Sequence, residues 1–249
     1  MKARAVKKLE PAAPLGENAA RIVMVRLDEL LSFTPKALER ESITEQHDMR
    51  IAAKRLRYVL EVTGFCFGAP ADTARRRARD LQDILGEMHD CDVMLPLVRE
   101  HMSALQAEDA AFVRGKAGNS PDLDPRIAAQ APHRTAYRGL DVLAVYLLAR
   151  RELLFDRFVA FWKRQEETGT WLRLERSADA LLRKAREARK AAKQAARAQE
   201  AAEAAERASA EAAAKAEEAL RQKERAAAEL AGGSTAELLS RDEAPDPRA

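Results

Sequence analysis

Apolar residues recur at helical spacing through most of this chain, and no segment alternates as a strand would. A first helix is predicted from about Asn18 to Leu31, carried by Ile22, Val23, Met24, Val25 and Leu27, with Pro35 ending it or lying in the turn beyond. A second is predicted from about Ile43 to Val62, with Thr44 as N-cap. Gly64, Gly68 and Pro70 mark a loop. A third helix is expected over Asp72 to Met88 and a fourth from Asp90 to about Val113, with Pro96 in its early turns. Residues 115–133 read as a loop rich in Gly, Pro, Asn and Asp. A long helical pattern follows from His133 to Gln165, with a break expected near Arg150. Between Leu140 and Leu148 it is apolar almost all round, which predicts deep burial. The fold class is all-α: the first four helices form a bundle and the later ones pack against it.

The pattern changes near residue 183. From Ala185 to Ala231 nearly half the residues are Ala, and most of the rest are Glu, Lys, Arg or Gln. Ala has the highest helix propensity, so a solvated helix is predicted here. Leu220 and Leu230 are its only large apolar residues, too few for a coiled-coil seam. Gly232-Gly233 is expected to stop it, and the Pro-containing end to be disordered. The chain therefore divides into a helical domain at 1–182 and a charged tail at 183–249.

Candidate chemistry begins in the second helix. At about 100° per residue, His47, Arg50, Lys54 and Arg57 share one stripe, and Met49, Ala52, Ala53, Leu56, Val59 and Leu60 share another. Like charges so spaced repel, and either a polyanion or carboxylates on neighbouring helices must offset them. On the third helix Arg75, Arg79, Gln82 and Gly86 share a face opposite Ala74, Ala78, Leu81 and Leu85. If the two helices pack antiparallel, both polar faces border one groove. Guanidinium forks match phosphate oxygens, lysine adds a mobile point charge, and Gly86 leaves room for a close approach. Arg76 and Arg77 read as a solvated face.

Two of these segments also carry a resemblance. His47-Asp48-Met49-Arg50-Ile51-Ala52-Ala53-Lys54-Arg55-Leu56-Arg57-Tyr58 resembles the first signature of the CHAD family, the conserved histidine α-helical domain. Leu81-Gln82-Asp83-Ile84-Leu85-Gly86-Glu87-Met88-His89-Asp90-Cys91-Asp92-Val93 resembles its second. The likeness runs from Ala3–Leu9 to about Leu182. It implies a helical domain that binds inorganic polyphosphate through basic residues and histidines, without catalysis of its own. The site residues it implies are His47, Arg50, Lys54 and Arg57, then Arg75 and Arg79. Arg21 and Arg26, in a stretch similar to the family's first helix, are weaker candidates. One departure stands out: CHAD domains usually hold two similar halves, and 134–182 carries no second His-Asp-Met-Arg-like motif. The groove is then incomplete or completed by a second chain, which makes a homo-oligomer an open expectation.

Other residues have competing readings. Arg151 projects with Leu140, Ala144, Phe158 and Trp162 on an apolar face, so it needs a buried carboxylate or a ligand. His47 can bind phosphate as a cation, act as a base or be a satisfied surface histidine, and the base role lacks a nucleophile. Asp90 fits as a helix N-cap and Asp92 in its first turn. His89, His101 and His133 lack ligand spacing, and Cys66 and Cys91 form no CxxC pair, so no metal or cofactor is expected. There is no phosphate-cradling glycine loop, no GxSxG, and no ExExK of the CYTH triphosphatases that often accompany CHAD. An enzyme is not expected.

Charge adds a rival partner. With 43 Lys plus Arg against 40 Asp plus Glu, the net charge of +3 says little, and clustering says more. Arg183, Lys184, Arg186, Arg189, Lys190, Lys193 and Arg197 form a basic block that could bind nucleic acid through phosphates. No apolar run is long enough to cross a membrane and no secretory signal is evident, so a soluble cytoplasmic protein is expected.

Overall fold

Seven α-helices and one 3-10 turn account for the ordered elements of the computed structural model, which describes residues 2–239 and, for side chains, residues 2–228. They are α1 (Leu15–Leu31), α2 (Thr34–Ala37), α3 (Ile43–Thr63), a 3-10 turn (Gly64–Cys66), α4 (Ala69–Ala117), α5 (Pro125–Ala128), α6 (Arg134–Glu167) and α7 (Thr170–Leu239). No strand occurs among the described residues. The chain divides into two compact units, 1–185 and 186–249.

In the first unit α1 packs on α3, α3 on α4, and α4 on α6. The apolar stripe expected on α3 is the one buried: Met49, Ala52, Ala53, Leu56 and Leu60 lie in the core. Ala74, Ala78, Leu81 and Leu85 of α4 meet it. Small alanines on both helices let the two backbones approach closely. At the far end Trp162 of α6 stacks on Trp171 of α7 with ring centroids 6.0 Å apart, and Ser177 donates to the Phe67 carbonyl at 3.1 Å. In the second unit the described side chains are all exposed, as an Ala/charged helix without an apolar face requires.

Several boundaries differ from expectation, each for a local reason. Helix α1 starts at Leu15 rather than Asn18, because Pro14 has the non-helical backbone of an N-cap. Pro35 lies in the first turn of the short α2, where its missing N–H costs nothing. Ser42 precedes α3 without a side-chain cap, and Thr44 is inside the helix. The third and fourth helices are one: α4 runs unbroken through His89 and Asp90, so Asp90 is not an N-cap. Its interior Pro96 lies on an exposed position and removes a single backbone donor. Helix α6 is continuous at Arg150. Helix α7 passes through Gly232-Gly233, since about 1 kcal/mol per glycine is small against a long alanine-rich run. The proposed disorder of the Pro-containing end falls on residues 240–249, outside those described.

The largest departure concerns 140–148. Only Leu147 is buried there, with Leu140 and Ala144 partly so, while Val142, Val145, Tyr146 and Leu148 are exposed. Helix α3 begins at Ile43 and reaches α4 only as far as about residue 92, so beyond that point α4 and α6 mainly cover one side of each other, with the short α5 against α4. The tip of this two-helix arm is fastened by Asp109, which is buried and accepts from the Tyr137 hydroxyl and from the His133 backbone N–H at 3.1 Å.

Candidate functional site

The 3-10 turn at Gly64–Cys66 reverses the chain, so α3 and the first half of α4 run antiparallel. Three contacts fix their register. A Cβ on Gly64 would lie 3.8 Å from that of Ala71; one on Gly86 would lie 3.3 Å from Arg50 Nε; and the His47 and His89 rings sit 4.4 Å apart. Carried along the pair, this register sets Lys54 level with Gln82 and Arg57 level with Arg79. The basic stripe of α3 and the polar face of α4 thus run side by side along the helix pair, with Gly86 at the place where Arg50 needs room.

Several arginines of the first unit end on carboxylates. Arg4 meets Asp28; Arg21 meets Glu17 at 2.6 Å; Arg26 and Arg55 both meet the buried Glu29, Arg55 at 2.7 Å; Arg77 meets Asp80 at 2.8 Å. Among the described residues no ion pair engages Arg50, Lys54, Arg75 or Arg79. Arg57 contacts Glu61 at 3.1 Å and lies over the Tyr58 ring at 4.5 Å, with Lys54 Nζ 5.9 Å from the same ring. His47 Nδ1, Arg50 Nε, Arg57 Nε and Gln82 Oε1 are buried without a hydrogen-bond partner. Buried polar atoms are costly to leave unpaired, so four along one helix pair mark a place where a polar ligand is favoured. Burial, followed by His89, lowers the His47 imidazole below its ordinary pKa; Arg50 adds to this and Asp48 opposes it.

The structure brings His47, Arg50, Lys54, Arg57, Arg75 and Arg79 to this helix pair and takes three candidates elsewhere. Arg21 and Arg26 are held by Glu17 and Glu29 on their own helix. Arg151 is buried, bonded through Nε to Asp92 at 3.1 Å and through Nη2 to the Gln46 amide oxygen at 2.5 Å. Asp92 thus serves an internal ion pair. No ligand spacing surrounds His89 in sequence; its place opposite His47 follows from the antiparallel register. The described residues hold no group of three His, Cys, Asp or Glu side chains able to bind a metal ion.

Residues 1–99 match the family model of the CHAD domain. The matched segment includes α1, α2, α3 and α4 as far as Arg99, and so every residue from His47 to Arg79. It ends before the outer part of the α4–α6 arm. Neither the curated proteins nor the solved structures contain a match to the chain. No helix among the described residues is long and apolar enough to cross a membrane.

Proposed function

We propose that this protein binds inorganic polyphosphate, without transforming it, along the groove between α3 and the first half of α4. CHAD domains in general bind polyphosphate, and the match spans this groove. The observation that carries the reading is electrostatic. Among the described residues Arg50, Lys54, Arg75 and Arg79 have no carboxylate ion pair, and the buried Arg50 Nε and Arg57 Nε have no hydrogen-bond partner. A flexible chain of phosphates supplies acceptors at a repeat short enough to meet them in succession. Arginine forks hold the non-bridging oxygens, Lys54 adds charge at the exposed rim, and the His47–His89 pair closes one end. We place the protein in the cytoplasm.

The test is a titration of long-chain polyphosphate over a range of salt concentrations. Counterion release makes log affinity fall linearly with log salt, and Lys54→Ala should reduce that slope by about one (by analogy with DNA). Arg50→Ala should cost more affinity than Lys54→Ala, because it removes a half-buried fork. Unchanged affinity in both folded variants overturns the groove.

A second reading has its own observation. On the second unit's part of α7, Arg186, Lys190, Lys193 and Arg197 fall within about a quarter of the circumference, and every described side chain from residue 186 onward is exposed. Such a face can follow a nucleic-acid backbone. Duplex DNA as competitor separates the two readings: polyphosphate held in the groove resists it, whereas polyanion held on α7 is displaced.

A further inference from the structure

The outer face of α6 is an apolar stripe with no partner among the described residues of its own unit. Val142, Val145, Tyr146, Ala149 and Leu153 fall within about a third of the circumference, opposite the face that packs on α4. Val142, Val145, Tyr146 and Leu153 are 64%, 65%, 52% and 62% exposed. Apolar side chains scattered singly on a surface are ordinary, but a contiguous stripe over three turns calls for a cover. We propose that a second copy of this chain covers it, with the two α6 helices packed antiparallel about a twofold axis between Tyr146 and Ala149.

Three observations select a second copy over another occupant. The first is spacing. Val142, Tyr146, Ala149 and Leu153 are separated by four, three and four residues, the alternation of a two-helix seam. The second is shape. Ala149 leaves a notch between Tyr146 and Leu153, in a shallow groove also lined by Glu87, Arg150 and Arg157. Antiparallel pairing sets Tyr146 of one copy against Ala149 of the other, large against small, and Val142 against Leu153. Gly139, with open space where its Cβ would be, then faces Asp156 of the second copy.

The third is charge. Glu87, Glu152 and Asp156, beside the stripe, are already held by arginines of the same chain: Arg150 holds Glu87 at 2.6 Å, and Arg40 holds Glu152 and, at 2.9 Å, Asp156, so a basic partner gains little from them. Along the antiparallel flanks Val145 meets Glu152 and Leu143 meets Arg150, so no like charges oppose.

Sedimentation of the full chain tests the proposal. The wild type should move with concentration toward twice the 27.6 kDa mass of one chain. Val142→Lys and Leu153→Glu should each leave a monomer with unchanged tryptophan fluorescence, because both side chains are exposed in the isolated chain. The double variant should dimerise again, since antiparallel layers set the two new charges against each other. Val93→Glu, on an exposed apolar position of α4 away from the stripe, should dimerise like the wild type. A wild type that stays monomeric up to about 200 μM, well above micromolar affinity, overturns the proposal. So does a dimer indifferent to both single variants, or a double variant that remains monomeric.

Discussion

Replacing Gly86 by alanine should separate two properties that usually move together. A glycine inside a helix costs up to about 1 kcal/mol relative to alanine, so Gly86→Ala should hold or raise thermal stability. Its new Cβ would lie 3.3 Å from Arg50 Nε, displacing the guanidinium and weakening polyphosphate binding severalfold. A melt and a titration on the same variant check both halves. His47 gives a pH dependence. Its folded pKa is lowered, chiefly by burial and then by His89, so below the ordinary value of 6.5 the unfolded chain takes up a proton that the folded chain resists. Stability should therefore fall as pH drops through the ordinary histidine range, and His47→Gln should flatten that loss in melts across pH. Bound polyphosphate favours the imidazolium, so affinity should rise from about pH 8 to about pH 6, less steeply in His47→Gln. At this scale the α3 stripe was legible because 3.6-residue periodicity places side chains without knowledge of neighbours. Which arginines end on carboxylates was not, because Glu29 reaches Arg55 across helices that only folding brings together.

Helix α6 is held to the rest of its unit by a buried ion pair as well as by its core face. Arg151 joins Asp92 of α4 and Gln46 of α3, so one guanidinium ties three helices. Arg151→Ala leaves Asp92 and Gln46 without their partner and should cost on the order of 3 kcal/mol in denaturant unfolding. Arg151→Met, which fills the volume, should cost less than Arg151→Ala if packing contributes, and a similar loss in both variants would assign the whole effect to the abandoned carboxylate. Element existence was readable throughout, and element limits less so. Asp90 looked like a helix start because aspartate caps helices well, yet the residues on both sides sustain the helix and no breaker intervenes. The run 140–148 looked like core because hydropathy alone cannot say how many neighbours a helix has. Among the described residues α6 packs chiefly on α4.

Over the whole chain, the two units differ in what keeps them helical. The first has a core of interlocking helices, while the described side chains of 186–228 touch no core. Cooperative unfolding requires tertiary contacts; an isolated helix frays gradually with temperature. Both tryptophans, Trp162 and Trp171, are buried and stacked in the first unit. Tryptophan emission should therefore report one sharp transition, the loss of the 1–185 core. Far-ultraviolet circular dichroism, which weighs every helical residue, should decline steadily well below that temperature as α7 loosens, and should regain a flat baseline when the chain is cut after residue 185. The stacked indoles thus act as a built-in thermometer for the first unit, blind to the stretch of α7 beyond residue 185.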